Sequence, residues 1–225
     1  MKNIILLGTL FLLLQPTNIA AQVGRQNGLS ITIQGPNTKI EGVQPEDASS
    51  KTQHLRFINA DYKEAQVDAL KEAHYLRYNI FRNEMEFIKD GKKYFLTKTE
   101  NQSIHFMDAN RTFTTLNIDG ELHYVEIVYK GNTSLYTLQR VVFKKGKVAK
   151  TQFETAKKAK FIRDRDLYYI ALNNAGLEKL PKGKKDFYQL FSDKSKAIKN
   201  YLKKEKIDRE KTEDIIKVIK YYHSL

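Results

Sequence analysis

Two Asp-Gly dipeptides, Asp90-Gly91 and Asp119-Gly120, restrict what this chain can fold into more than any other feature. The first lies between residues 84–89 and 92–97 and the second between 112–118 and 121–130, all short runs carrying aromatic and β-branched residues. A two-residue connection takes left-handed backbone angles, which Gly accepts freely and Asp tolerates, and the strands it joins can pair only in opposite directions. Gly131-Asn132 is a third candidate turn, leading into 133–143, and Asp108-Ala109-Asn110 a longer one after 103–107. The pattern predicts an antiparallel β-meander of six or seven strands, built as a sheet, a sandwich or a partly open barrel.

Further along, 160–163 and 167–172 read as one more strand pair around Asp164-Arg165-Asp166. Asn173-Asn174-Ala175-Gly176 breaks the sheet pattern, and beyond Pro181 the apolar period becomes helical. Phe187, Leu190 and Phe191 follow i, i+3, i+4 spacing, as do Ile198, Tyr201 and Leu202, while Ile215, Ile219 and Tyr222 make a stripe on a last helix for which Asp208 is the expected N-cap. Short isolated helices are marginal in water, so these stripes must pack on one another and on the sheet. The fold class expected is therefore α+β. It has a polar, partly flexible leader at 22–53, an antiparallel β domain at 54–180 and a basic tail of two or three helices at 181–225.

The first 21 residues have a different character. Lys2 precedes a mostly apolar run at 4–14, and a polar stretch and the small pair Ala20-Ala21 follow, which is the layout of a secretory signal peptide cleaved near Ala21. Eleven apolar residues cover about half of a ~30 Å hydrocarbon layer, so the run is too short for an anchor, and no other stretch is longer. The expected location is periplasmic or extracellular. The chain has no cysteine, which excludes disulfides, thiolate metal sites and a cysteine nucleophile.

Charge is unevenly placed. Of the net +13, residues 1–139 contribute nothing, with 15 basic and 15 acidic side chains, whereas 140–165 hold ten basic residues against Glu154 and Asp164. That +8 segment is the candidate anion-binding surface. If 160–163 is a strand, its residues alternate faces, and Lys157, Lys158, Arg163 and Arg165 are then the expected contacts.

No local signature of catalysis is present. His105 and Asp108, like His123 and Glu126, are three apart in strand-like runs and so point to opposite faces, which is wrong for shared metal ligation. Glu84 and Glu86 share a strand face, with Met85 and Phe87 alternating between them, and read as acids on the wet side of a half-buried strand. No phosphate loop, dinucleotide fingerprint, metalloprotease helix or nucleophile elbow occurs. No catalytic, cofactor or metal residue is therefore assigned.

The runs Tyr75-Leu76-Arg77-Tyr78-Asn79-Ile80 and Glu84-Met85-Glu86-Phe87, the basic-aromatic Lys184-Lys185-Asp186-Phe187-Tyr188 and the closing Lys217-Val218-Ile219-Lys220-Tyr221-Tyr222 resemble a group of exported proteins of unknown function from Bacteroidota. The resemblance covers roughly 70–225. It implies an envelope setting and a strand-rich body with a helical tail.

The expectation for function is a non-enzymatic binding or structural module whose basic surface meets anionic glycan or lipid head groups. One alternative is an enzyme whose site is assembled from scattered residues. A nucleic-acid-binding protein is the other, placed lower because export leads away from nucleic acid.

Overall fold

The computed structural model describes residues 23–26, 29–32, 48–68, 73–151 and 153–225. The apolar run at 4–14 and the cleavage expected near Ala21 lie outside the described residues. A hairpin of β1 (Val23–Gln26) and β2 (Leu29–Thr32) comes first, followed by the single-turn α1 (Ser50–Gln53). The body contains β3 (Lys63–Val67), β4 (His74–Asn79), β5 (Glu84–Lys89), β6 (Lys92–Leu96), β7 (Ser103–Phe106), β8 (Arg111–Ile118), β9 (Glu121–Tyr129) and β10 (Ser134–Leu138). After β11 (Val141–Lys144) and β12 (Lys160–Arg163) come β13 (Leu167–Ala171) and β14 (Leu177–Lys179), then helices α2 (Lys184–Gln189), α3 (Ser195–Lys204) and α4 (Thr212–Ser224).

Ten of these strands form one antiparallel sheet that curls into a half-barrel, in the order β6-β5-β4-β3-β7-β8-β9-β10-β13-β14. The β1–β2 hairpin extends it at β6 through Ile31↔Leu96 and Thr32↔Phe95. The α+β arrangement expected from the sequence is thus present, with more strands than the turn signals marked. β3 escaped because its five residues, KEAQV, put only Ala65 and Val67 into the core.

Both Asp-Gly turns have two successive residues in the left-handed region: Asp90 (φ 50°) with Gly91 (φ 69°), and Asp119 (φ 53°) with Gly120 (φ 89°). Their twist matches the right-handed twist of the strands they join. The Asn117 side chain reinforces the second, accepting from Gly120 N at 3.0 Å. Gly131 differs, because its φ is not positive and the β9–β10 register slips at Leu135/Tyr136.

Two expectations fail in the next stretch. The single strand at 133–143 divides at Gln139-Arg140, and β12 pairs with β11 (Val142↔Ile162) rather than with β13, which lies between β10 and β14. Packing is the cause. Val141 and Phe161 are buried in the first core, and Phe143 is half-buried beside them, its ring 5.2 Å from that of Phe161, which lies 5.0 Å from Phe81. The chain leaves the sheet to bury these rings. Its exit and return are tied together, Asp164 N donating to Arg140 O at 3.0 Å and the Asp166 carboxylate accepting from Arg140 N at 3.3 Å.

The interior has two main cores. In the first, Leu76, Tyr78, Met85, Ile104, Phe113 and Tyr124 project from β4, β5, β7, β8 and β9. In the second, Leu135 and Ile170, opposite each other on β10 and β13, receive Phe187, Phe191, Ile198, Ile215, Ile219 and Tyr222 from the helical tail. α4 starts at Thr212 with Lys211 before it, so Asp208 is not its cap. Asp208 instead accepts from Glu210 N at 3.0 Å in the preceding turn, and Asp214 reaches back to Asp208 N at 3.0 Å. The acids of the first turn, Glu213 and Asp214, complement the helix dipole. Among the described residues no helix is long and apolar enough to cross a membrane.

Candidate functional site

β11 and β12 form a two-stranded ribbon separate from the main sheet. Its root is fixed in the body by Phe161, by Ser49 N donating to Ala159 O at 2.8 Å, and by Thr52 Oγ1 accepting from Phe161 N at 3.1 Å. Beyond Lys144 the two chains stay together: Lys147 and Lys157 exchange both backbone hydrogen bonds, at 2.7 and 2.8 Å. Gly146 makes this approach possible, because a Cβ there would meet Lys157 O at 2.7 Å and Ala159 N at 3.0 Å. The tip turns through Glu154 N donating to Thr151 O at 3.2 Å, and the Glu154 carboxylate accepts from Lys150 N at 3.0 Å.

Seven lysines, Lys144, Lys145, Lys147, Lys150, Lys157, Lys158 and Lys160, are exposed along this ribbon. None makes an ion pair among the described residues, and the one acid between them is Glu154. Two pairs of these lysines face each other directly, Lys144↔Lys160 and Lys147↔Lys157. Like charges opposed across an antiparallel pair are destabilising, so the ribbon carries a repulsion that an external anion would relieve. At its far end Val148 is 85% exposed and Phe153 89%.

Of the four residues singled out from the sequence, Lys157 and Lys158 lie on this ribbon without an ionic partner. Arg163 and Arg165 sit at its root and are engaged by the body. Arg163 donates to both Asp166 oxygens at 3.0 and 3.2 Å and to Gln139 Oε1 at 3.1 Å, and Arg165 to Glu210 Oε1 at 2.9 Å. Strand alternation does not register the partners that tertiary packing brings to an arginine. The exposed Val148 and Phe153 were also missed. Their mark in the sequence is two apolar side chains isolated inside a lysine-rich turn.

A groove of about 660 Å³ lies on the inner face beside the ribbon root, where His54, Phe57, Thr137 and Thr212 approach one another. Four of its charged side chains form two ion pairs, Arg111 with Glu126 and Arg163 with Asp166. Arg111 donates twice to Glu126, at 2.7 Å each, Gln139 Nε2 donates to Glu126 at 2.8 Å, and Arg163 ties Gln139 to Asp166. Burial raises the Asp166 carboxyl against the lowering effect of Arg163. The Thr137 hydroxyl is buried there and has no partner among the described residues. A smaller cleft of about 260 Å³ includes Arg165, Tyr168, Pro181 and Arg209 in its lining.

Glu84 and Glu86 do not share an open, wet face. Glu86 is 1% exposed and accepts from Arg77 and Asn79 at 2.7 Å each, while the Arg77 guanidinium is stacked between Phe57 (3.8 Å) and Tyr62 (4.5 Å). The segment 57–62 folds over this part of β5 and closes it off. Glu84 pairs with Lys98 at 3.0 Å, and burial raises its carboxyl above the ordinary range. His105 Nδ1 contacts Thr112 Oγ1 at 3.0 Å, and His123, whose ring burial lowers, lies 3.8 Å from Glu121. Among the described residues no three His, Asp or Glu side chains are grouped to hold a metal ion.

Comparison with protein-family models, with curated protein sequences and with solved structures gave no match.

Proposed function

We propose that this is an exported, non-enzymatic binding module that contacts an anionic envelope polymer or lipid head groups through its lysine ribbon. The observation that carries this reading is the ribbon itself, with seven exposed lysines that make no ion pair among the described residues, two pairs of them opposed, on a root fixed in the core. A ribbon needing only solubility gains nothing from facing lysine to lysine. Export rests on the leader at 1–21.

The test is binding to an acidic polysaccharide and to anionic vesicles across a salt series. Contacts made by exposed charges weaken as the Debye length shrinks from about 10 Å at 0.1 M to about 3 Å at 1 M. Binding should fall steeply over that range and be abolished by Lys144→Glu, Lys147→Glu, Lys157→Glu and Lys158→Glu combined. Retention by the folded quadruple variant would remove the ribbon from the mechanism. Preference for duplex DNA over both ligands would favour the nucleic-acid alternative.

A second reading, a small-molecule or catalytic site in the groove, is favoured by one observation, the buried and unpartnered Thr137 hydroxyl. Its test is a ligand screen by thermal shift, with Thr137→Val as the control that should abolish any stabilisation found.

A further inference from the structure

Resting on the reading above, we propose that the anionic partner is a lipid bilayer, and that Val148 and Phe153 enter its interface while the ribbon lysines lie among the head groups. Among the described residues the two most exposed large hydrophobic side chains are these two, and both occupy the same tip, at 85% and 89%. Scattered apolar exposure on a surface needs no explanation, but this pair stands at the far end of a ribbon whose other end is anchored in the core. The seven lysines lie along the same ribbon, behind or beside the apolar pair.

The chemistry distinguishes a bilayer from a glycan. A soluble acidic polymer offers charge and hydroxyl groups, and a valine side chain has nothing to gain from either. A membrane interface accepts apolar side chains at the acyl boundary and lysines at the phosphates, and lysine stems span the two zones. Each lysine near an anionic leaflet adds a favourable electrostatic contribution that falls off within a Debye length. The one acid of the tip, Glu154, has its carboxylate bound to the Lys150 backbone, accepting from Lys150 N at 3.0 Å, against seven lysines on the same ribbon. Gly146 lets the two chains approach closely, so that both strands run together toward the exposed tip.

The chain has no tryptophan, so Phe153→Trp places a single reporter at the tip. With vesicles of phosphatidylglycerol in phosphatidylcholine, its emission should shift to the blue and be quenched by brominated acyl chains, and neither should occur with phosphatidylcholine alone. Val148→Ser combined with Phe153→Ser should weaken vesicle binding at least about tenfold, while leaving binding to a soluble acidic polysaccharide and the melting temperature unchanged. A reporter that stays water-like on vesicle-bound protein, or a double serine variant that binds vesicles as well as the parent, would overturn the insertion and leave the anion-binding reading intact. Absence of binding to vesicles and to polysaccharide alike would overturn both.

Discussion

Lys147 and Lys157 stand directly opposite each other in the ribbon, joined by two backbone hydrogen bonds, and Lys144 and Lys160 are likewise opposed nearer the root. The backbone ladder holds together side chains that repel. Lys160→Glu converts one repulsive pair into an attractive one on an exposed strand, and should raise the melting temperature by about 1–3 °C. The same variant should bind anionic vesicles more weakly. A lower melting temperature in a thermal melt would show that the opposed lysines carry no cost in the free protein.

Gly146 is the position on which the ribbon's narrowness depends. Gly146→Val places branched carbon where Lys157 O lies 2.7 Å away and Ala159 N 3.0 Å away, both of them backbone atoms that cannot swing aside. The two chains should separate beyond Lys144. Limited proteolysis should then cut within 145–158 at rates well above the parent's. The far-ultraviolet circular dichroism of the body should change little.

The three hairpin turns separate by backbone angle. Gly91→Val and Gly120→Val force a β-branched residue into φ near 69° and 89°, which costs ~1 kcal/mol or more, and each should lower the melting temperature by about 2–4 °C. Gly131→Ala meets nothing closer than 3.7 Å and has no positive φ to oppose it. It should leave the melt unchanged. A drop as large as that at Gly91 would mean that the turn at 131–132 is tighter than its geometry indicates.

The parts of this fold that the sequence displays are those governed by neighbours along the chain. Asp-Gly turns, the existence of β5, β8 and β9 beside them and the helical stripe of α4 all arise from local angles and propensities, and all are legible. The division at Gln139-Arg140 is not. Residues 133–143 contain no Gly or Pro to mark an end, and the break exists because Val141, Phe143 and Phe161 pack with Phe81 in the core. Glu86 is hidden for a similar reason, since its cover comes from Phe57 and Tyr62, far from β5 in sequence. For the ribbon, composition marked the segment as basic. Which of its cations are free was decided by Asp166 and Glu210, which occupy Arg163 and Arg165.

Glu84 gives the protein a defined pH response. Burial, partly offset by Lys98, raises its carboxyl in the folded state. The folded state therefore holds this proton more tightly than the unfolded chain does. That contribution is fully present below the unfolded pKa and is lost as pH rises through the folded one. Glu84→Gln, which is neutral throughout, removes the dependence. In urea melts the midpoint of the parent relative to Glu84→Gln should increase as pH falls through the carboxylate range, and a constant difference would show that Glu84 titrates alike in both states.

Glu86 and Arg77 make the sharpest prediction about stability. Glu86 is almost fully buried on β5, opposite Arg77 on β4, and the guanidinium is enclosed by Phe57 and Tyr62 while also donating to Ala60 O at 2.8 Å. Removing Arg77 leaves the buried Glu86 with Asn79 and only the more distant Lys93 at 3.9 Å, and removing Glu86 leaves the enclosed guanidinium without a carboxylate; breaking a buried pair in this way costs about 3–5 kcal/mol. Glu86→Leu alone should lower the melting temperature by roughly 10 °C, and Arg77→Met alone by a similar amount. Replacing both together removes the two buried charges and leaves an apolar side chain of similar length between Phe57 and Tyr62, so the double variant should be more stable than either single one. A double-mutant cycle measured by urea unfolding checks this. Additive losses would mean that Arg77 and Glu86 act independently, Arg77 on the 57–62 segment and Glu86 through Asn79.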